Sequence, residues 1–263
     1  MMLRDQGLTL LLAMFFSIAA GLVGCIALMR RMLLAGDVMS HLALPGLGIA
    51  FLYKINPLIG GAATLFFGTL LVWQLQRKSG LAPEAAIGVI FAGALAIGAA
   101  VTPNEDLAES LFGELPKISF GEFLIAAAGV LLVIFSVYLL RDELTLSIFS
   151  PDLAAATGVN VSRLDLYYLL LFSVTILVGL RFMGALLASA LIIVPAATAR
   201  QLTDKLSHFL LIASALSLFA VTSGFLASVV VFKFSTAGPT ITIFSAALFG
   251  LALLVKRRTK LRL

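Results

Sequence analysis

The chain has 263 residues, of which 61% are hydrophobic and only 12% charged, against about 45–50% and about 25% in soluble domains. With a mean hydropathy of +1.13, this excludes a soluble globular protein and reads as one polytopic transmembrane domain over 1–263, with no polar stretch longer than a modest loop. The net charge of +5 does not point to nucleic acid, because the bases sit mostly at the ends of apolar runs, where they signal topology and meet anionic lipid.

A helix needs about 20 apolar residues to cross the hydrocarbon core, and the runs lack the apolar/polar alternation of a barrel. The sequence therefore predicts an all-α transmembrane helix bundle of eight to nine spans. The nine segments lie near 8–29, 33–53, 57–75, 84–101, 122–140, 165–180, 183–199, 207–232 and 239–255. The first follows one Arg and one Asp without a clear cleavage site and reads as a retained span. It contains the single cysteine, Cys25, which has no internal disulfide partner and reads as a packing residue.

The second segment carries "GDVMSHLALPGLG". Asp37 and His41 are the only acid–imidazole pair in any candidate span, and at i, i+4 they share one helix face. Carboxylate oxygen with neutral imidazole suits zinc, manganese or ferrous iron; alternatively Asp37 caps the helix after Gly36, with His41 at headgroup level. Ser40 lies between them. Pro45 removes a backbone hydrogen bond, and Gly46 and Gly48 allow close approach, so a broken helix is expected, as where transporters place ion sites.

The outer stretch "PNEDLAESLFGELPK" (103–117) predicts a short amphipathic helix at the interface. On the other side, 141–165 contains "SPDLAAATGV", with Ser150 as N-cap, Pro151 at the first helical position and Gly158 as C-cap. A short capped helix there is either a rigid knob for a partner or an interfacial helix facing lipid. Segments six and seven are short, are split only by Arg181, and could form a re-entrant pair. Segment seven has small residues early (Gly184, Ala188, Ser189) and Pro195 late; segment eight has Ser223, Gly224 and Ser228. His208, beside Lys205, reads as interfacial.

With nine spans and the C-terminus inside, the inner segments hold Arg30, Arg31, Arg77, Lys78, Arg141, Arg163, Arg200, Lys205, Lys256, Arg257, Arg258, Lys260 and Arg262, which is 13 of the 18 basic residues. Fusing segments six and seven would flip the later half, so the basic tail favours nine spans with the N-terminus outside. No GxxxxGK[ST], HExxH or CxxC occurs, so the chain does not bind ATP through a phosphate loop. An intramembrane serine hydrolase using Ser223 and a histidine is a remote alternative, since no GxSxG context surrounds Ser223.

From Arg30 to Val255 the chain resembles the membrane permease subunits of bacterial ABC importers for divalent metals. The resemblance rests on six blocks in order: "GDVMSHLALPGLGIAFL", "EAAIGVIFAGALAIG", "LFGELPKIS", "SPDLAAATGVNVSRLD", "MGALLASALIIVPAATARQLT" and "SGFLASVVVFKFSTAGPTI". It implies a non-enzymatic subunit in a bacterial cytoplasmic membrane, with zinc, manganese or iron as transported substrate and no permanently bound cofactor. ATP would act only through a partner ATPase subunit, docked at a coupling helix near 150–160 that includes Ser150, Pro151, Asp152, Leu153, Ala156 and Gly158. The other implied partners are a second copy of the chain, an extracytoplasmic metal-binding protein and the lipid bilayer. Asp37 and His41 would be metal ligands, and Ser40, Pro45 and Gly46 would form the pathway and its helix break. The family commonly has Asp-Pro-Ser-Gly in the last external segment, where this chain reads Phe234-Ser235-Thr236-Ala237-Gly238 beside Lys233, leaving Asp37 and His41 as the main candidates. A permease for metal chelates or cobalamin-like cargo is the nearer alternative, but usually has a longer chain of about ten spans.

Overall fold

The computed structural model describes residues 7–101, 119–228 and 237–260, and among them all regular structure is helical. The long helices are α1 (Gly7–Met29), α4 (Pro57–Ser79), α5 (Pro83–Val101), α6 (Phe120–Phe149), α8 (Val161–Met183), α9 (Ala185–Leu202), α10 (Leu206–Ala227) and α11 (Gly238–Lys260). Three short ones complete the set: α2 (Ala35–Ser40) and α3 (Leu44–Leu52), joined through a 3₁₀ turn at His41–Ala43, and α7 (Pro151–Ala156). Each of the nine predicted segments coincides with a helix or, for the second, with the α2–turn–α3 unit. Seven helices are long and apolar enough to cross a membrane alone, and α5 contributes the shorter apolar stretch Pro83–Gly98. The predicted outer helix within 103–117, and Lys233 to Thr236, lie outside the described residues.

α1 is apolar around its whole circumference and forms the axis of the bundle: 67% of its apolar stretch is buried, against 22% for the peripheral α11. It packs against α6, α8, α9 and α10. Lipid tails are as apolar as leucine, so helices associate here through close backbone approach rather than through hydrophobic drive. A Cβ on Gly24 would land on the carbonyl oxygen of Ile192 in α9, and one on Gly21 would lie 3.0 Å from the Ala213 backbone in α10. Cys25 is fully buried beside them, its Sγ 3.7 Å from the Phe209 carbonyl, in keeping with a packing role.

α8 and α9 are longer than the short segments expected at 165–180 and 183–199. They are full helices of 23 and 18 residues that fold back at a single residue, Gly184, with φ 81° and ψ 160°. That region is open essentially only to glycine. Just below the reversal, a Cβ on Gly179 would meet Ala188 Cβ at 2.5 Å and the Phe16 ring at 2.8 Å, so the missing side chain lets the hairpin close.

These contacts make the glycines unequal. Gly24→Ala should destabilise the chain by about 1–3 kcal/mol through overpacking. Gly250→Ala in α11, with nothing within 4 Å, should be neutral or stabilising by up to about 1 kcal/mol. Thermal unfolding in detergent, followed by loss of the monodisperse peak, compares the two; equal melting points would contradict the packing described.

Candidate functional site

The Asp37–His41 turn is defined by how the chain enters it. α1 closes with Arg31 N–H donating to Leu28 O (3.1 Å) and Met32 N–H to Ala27 O (2.9 Å), a Schellman closure with Arg31 at φ 58°. Glycine is the usual occupant of that position, and a side chain there costs roughly 1–2 kcal/mol. Only Arg30 to Leu34 separate α1 from α2, so the polar pair is held just past a tight reversal.

Leu34 occupies the N-cap of α2 without a capping bond, and Asp37 lies inside the first turn. Its carboxylate caps nothing among the described residues, which removes the capping reading. Ser40, predicted to line the pathway, is buried and its hydroxyl donates to the Asp37 backbone carbonyl at 2.6 Å. Asp37 and His41 themselves are half-buried.

The predicted break takes a definite form. Pro45 has no N–H to offer the His41 carbonyl, which accepts from Leu44 N–H instead and tightens one turn to 3₁₀ before α3 resumes. Four elements surround this turn. Gly36 faces Phe172 of α8 and Ile192 of α9, each 3.8 Å from where its Cβ would stand. The His41 ring lies 5.8 Å from Phe91 of α5, tilted by 51°. Gly98 of α5 sits against Leu44 and Pro45, where a Cβ would reach Leu44 Cβ at 3.3 Å. Gly46 and Gly60 of α4 touch so closely that a Cβ on either would land on the other's carbonyl oxygen. Thr64 Oγ1 donates to Gly60 O (3.2 Å) and reaches Ala43 O (3.4 Å).

Sequence reasoning found Asp37, His41, Pro45 and Gly46, but not Phe91, Gly60 or Gly98. The glycine pair 60–61 was a visible signal of close packing; Phe91 had none. Among the described residues no group of three or more His, Cys, Asp or Glu could hold a metal ion. One carboxylate and one imidazole make a weak site, fewer ligands than tight zinc binding uses.

At the other candidate region, α6 runs past its apolar stretch to Phe149, so the predicted loop at 141–149 is helix. α7 follows, with Pro151 at its first position. Ser150 stands at the N-cap, but its hydroxyl makes no capping bond. Gly158, at φ 88°, lies one residue beyond the C-cap Thr157, its N–H donating to Ala155 O while Val159 N–H donates to Ala154 O, both at 3.0 Å. Ala154 is fully buried, whereas Leu153 is 54% exposed and Phe149 71%; Asp152 and Ala156 are also exposed. A cleft of about 520 Å³ opens alongside, lined in part by Glu143, Asn160, Arg163 and Tyr167. Ser223 donates to Phe219 O at 2.5 Å, within its own helix, and His208 lies fifteen residues earlier in α10, about 22 Å along the axis.

The family described as the ABC 3 transport family matches residues 7–256. The chain is 29% identical over 255 residues to the high-affinity zinc uptake system membrane protein ZnuB of Haemophilus influenzae, covering 95% of this chain and 97% of that one. It is 31% identical over 245 residues to the manganese transport system membrane protein MntC of Halalkalibacterium halodurans, covering 91% and 83%. Its fold is similar to PsaBC from Streptococcus pneumoniae in complex with Fab, with a TM-score of 0.80 and 24% identity over 99% of this chain and 95% of the other.

Pro45→Ala supplies the missing N–H and should convert the 3₁₀ turn to regular helix. Amide exchange across 41–48, read by mass spectrometry, should slow several-fold; unchanged exchange would mean that something other than Pro45 imposes the turn.

Proposed function

The chain belongs to the ABC 3 transport family, and from that premise we propose that it is the permease subunit of an importer moving zinc, manganese or iron across a bacterial cytoplasmic membrane. It is a transport component rather than an enzyme, in keeping with a Ser223 hydroxyl bonded to its own backbone. The observation that carries the site assignment is the Asp37–His41 pair, left half-buried on a turn that α4, α5, α8 and α9 otherwise enclose.

An acid and an imidazole partly open on a membrane-embedded surface are costly unless covered or used. A second copy facing the first covers them, and brings two carboxylates and two imidazoles to one central pathway. Four such ligands bind a divalent ion, yet shared between two moving subunits they also release it, as a conduit must. The relatives' zinc and manganese names support this cargo class, and the selection among metals falls to an extracytoplasmic binding protein.

The driving force comes from a separate ATPase subunit, since the chain has no phosphate-binding loop of its own. α7 is its docking knob: Pro151 and the Gly158 closure fix a short helix, Ala154 anchors it, and Leu153 and Phe149 present apolar surface. The cleft beside it carries charged residues, Glu143 and Arg163, which suits a protein partner better than lipid. Charge bias supports nine spans, with the N-terminus outside and α7 and the C-terminus inside.

Two measurements test the reading. Asp37→Asn and His41→Ala should each lower metal uptake by at least tenfold in proteoliposomes of the full transporter, with assembly unchanged; normal uptake by both would overturn the assignment. Leu153→Asp should weaken ATPase association by at least tenfold in pull-downs from detergent, while the variant keeps its melting point.

A further inference from the structure

A polar cluster at one end of α8 is explained by neither the metal turn nor the docking knob. Arg30, the residue after α1, donates from Nη1 to Asp165 Oδ1 at 2.7 Å, with its side chain only 10% exposed. Its guanidinium lies 4.7 Å from the centroid of the Tyr168 ring. Tyr168 is fully buried and its hydroxyl donates to Val23 O at 3.0 Å. The first turns of α8 are thus fastened to the last turns of α1 at two points, one of them a short charge-assisted bond.

This fastening lies between the two functional regions, and neither side has slack. From α7 to Asp165, the chain passes the Gly158 and Val159 closure and then Asn160, whose Oδ1 accepts from Arg163 N at 3.0 Å and caps α8. From Arg30 to Asp37, the Arg31 and Met32 closure leads into bonds from Ala35 N to Met32 O (3.1 Å) and Val38 N to Leu34 O (3.2 Å). A displacement of α7 therefore moves Asp165, Asp165 moves Arg30, and Arg30 stands seven residues before Asp37.

We propose that Arg30 and Asp165 are positioning residues that transmit movement of the ATPase-docking helix to the Asp37–His41 turn. The assignment rests on the permease reading. The bond is made through one nitrogen, while Arg30 Nε and Nη2 bond no described residue, so the contact can pivot without breaking a two-pronged grip. A buried ion pair is weak evidence of stabilisation, since an apolar pair of similar volume often does as well; a transmitting role accounts for a pair placed between these two regions. Coupling of this kind requires an element that both sites bias, and α8 packs against both α7 and α2, reaching Gly36 through Phe172.

The test uses the full transporter, permease with ATPase and binding protein, in proteoliposomes enclosing a metal-sensitive dye. Zinc and manganese entry and ATP hydrolysis are measured together. Asp165→Asn should leave hydrolysis within about twofold of the native rate while the metal moved per ATP falls at least tenfold. The exchange Arg30→Asp with Asp165→Arg should recover a substantial part of that ratio, and Arg30→Lys should give an intermediate value. A native ratio in Asp165→Asn overturns the link, as does a proportional fall of both activities with a lowered melting point, which marks a merely structural pair. If Asp165→Asn does not fold, Arg30→Lys decides: a native ratio there overturns the link. If the native chain moves neither zinc nor manganese, nor ferrous iron in a parallel assay, the permease reading itself fails.

Discussion

Contact between helix backbones, made where side chains are missing, is the constraint on which this bundle depends. In hydrocarbon the apolar faces of helices gain little from meeting each other, and close approach supplies the attraction. Gly24 against Ile192, Gly46 against Gly60, Gly179 against Ala188 and Gly224 against Ile241 are four such points. They join α1 to α9, α3 to α4, α8 to α9 and α10 to α11.

The polar groups inside this frame divide into two kinds. Most hydroxyls bond within their own helix, as Thr175 does to Leu171 O (2.9 Å) and Thr198 to Val194 O (2.7 Å), which satisfies them without specifying a partner. A few cross between helices, such as Thr69 and Ser173 at 2.6 Å and Trp73 Nε1 to Ser162 O at 2.9 Å, and these fix register. Among the described residues the side chains of Asp37 and His41 do neither, His41 meeting only the Phe91 ring at 5.8 Å, and the proposed binding role draws on that contrast.

The sequence made the helical segments legible because run length is a strong signal when backbone groups cannot turn to water. Their ends were less so. α6 continues nine residues beyond 140 and α4 continues to Ser79, because polar residues outside the hydrocarbon stay helical once a helix is established. The i, i+4 relation of Asp37 and His41 and the disturbance at Pro45 could be read locally; that the disturbance is one tightened turn could not, since it depends on how the chain resumes. Phe91 and Gly98 lie far from the turn in sequence, as Asp165 lies far from Arg30, and only folding brings them together. Arg31 and Lys54 were hidden for the opposite reason: both adopt positive φ (58° and 54°) without being glycine, so composition carries no trace of the turns they make. Ser150 shows a residue of the right type in the right place whose hydroxyl makes no capping bond.

α6 has 30 residues and so measures about 45 Å, against about 30 Å of hydrocarbon. Its excess length makes it a shaft that carries α7 at a fixed height and heading. Each residue of a helix contributes about 100° of rotation and 1.5 Å of rise. Inserting or deleting one residue between Arg141 and Phe149 would therefore swing the exposed face of α7 by more than a quarter turn while altering its height very little. Within this stretch the number of residues, more than their identity, sets the bearing of the proposed docking surface, so the segment should tolerate substitution far better than any change in length.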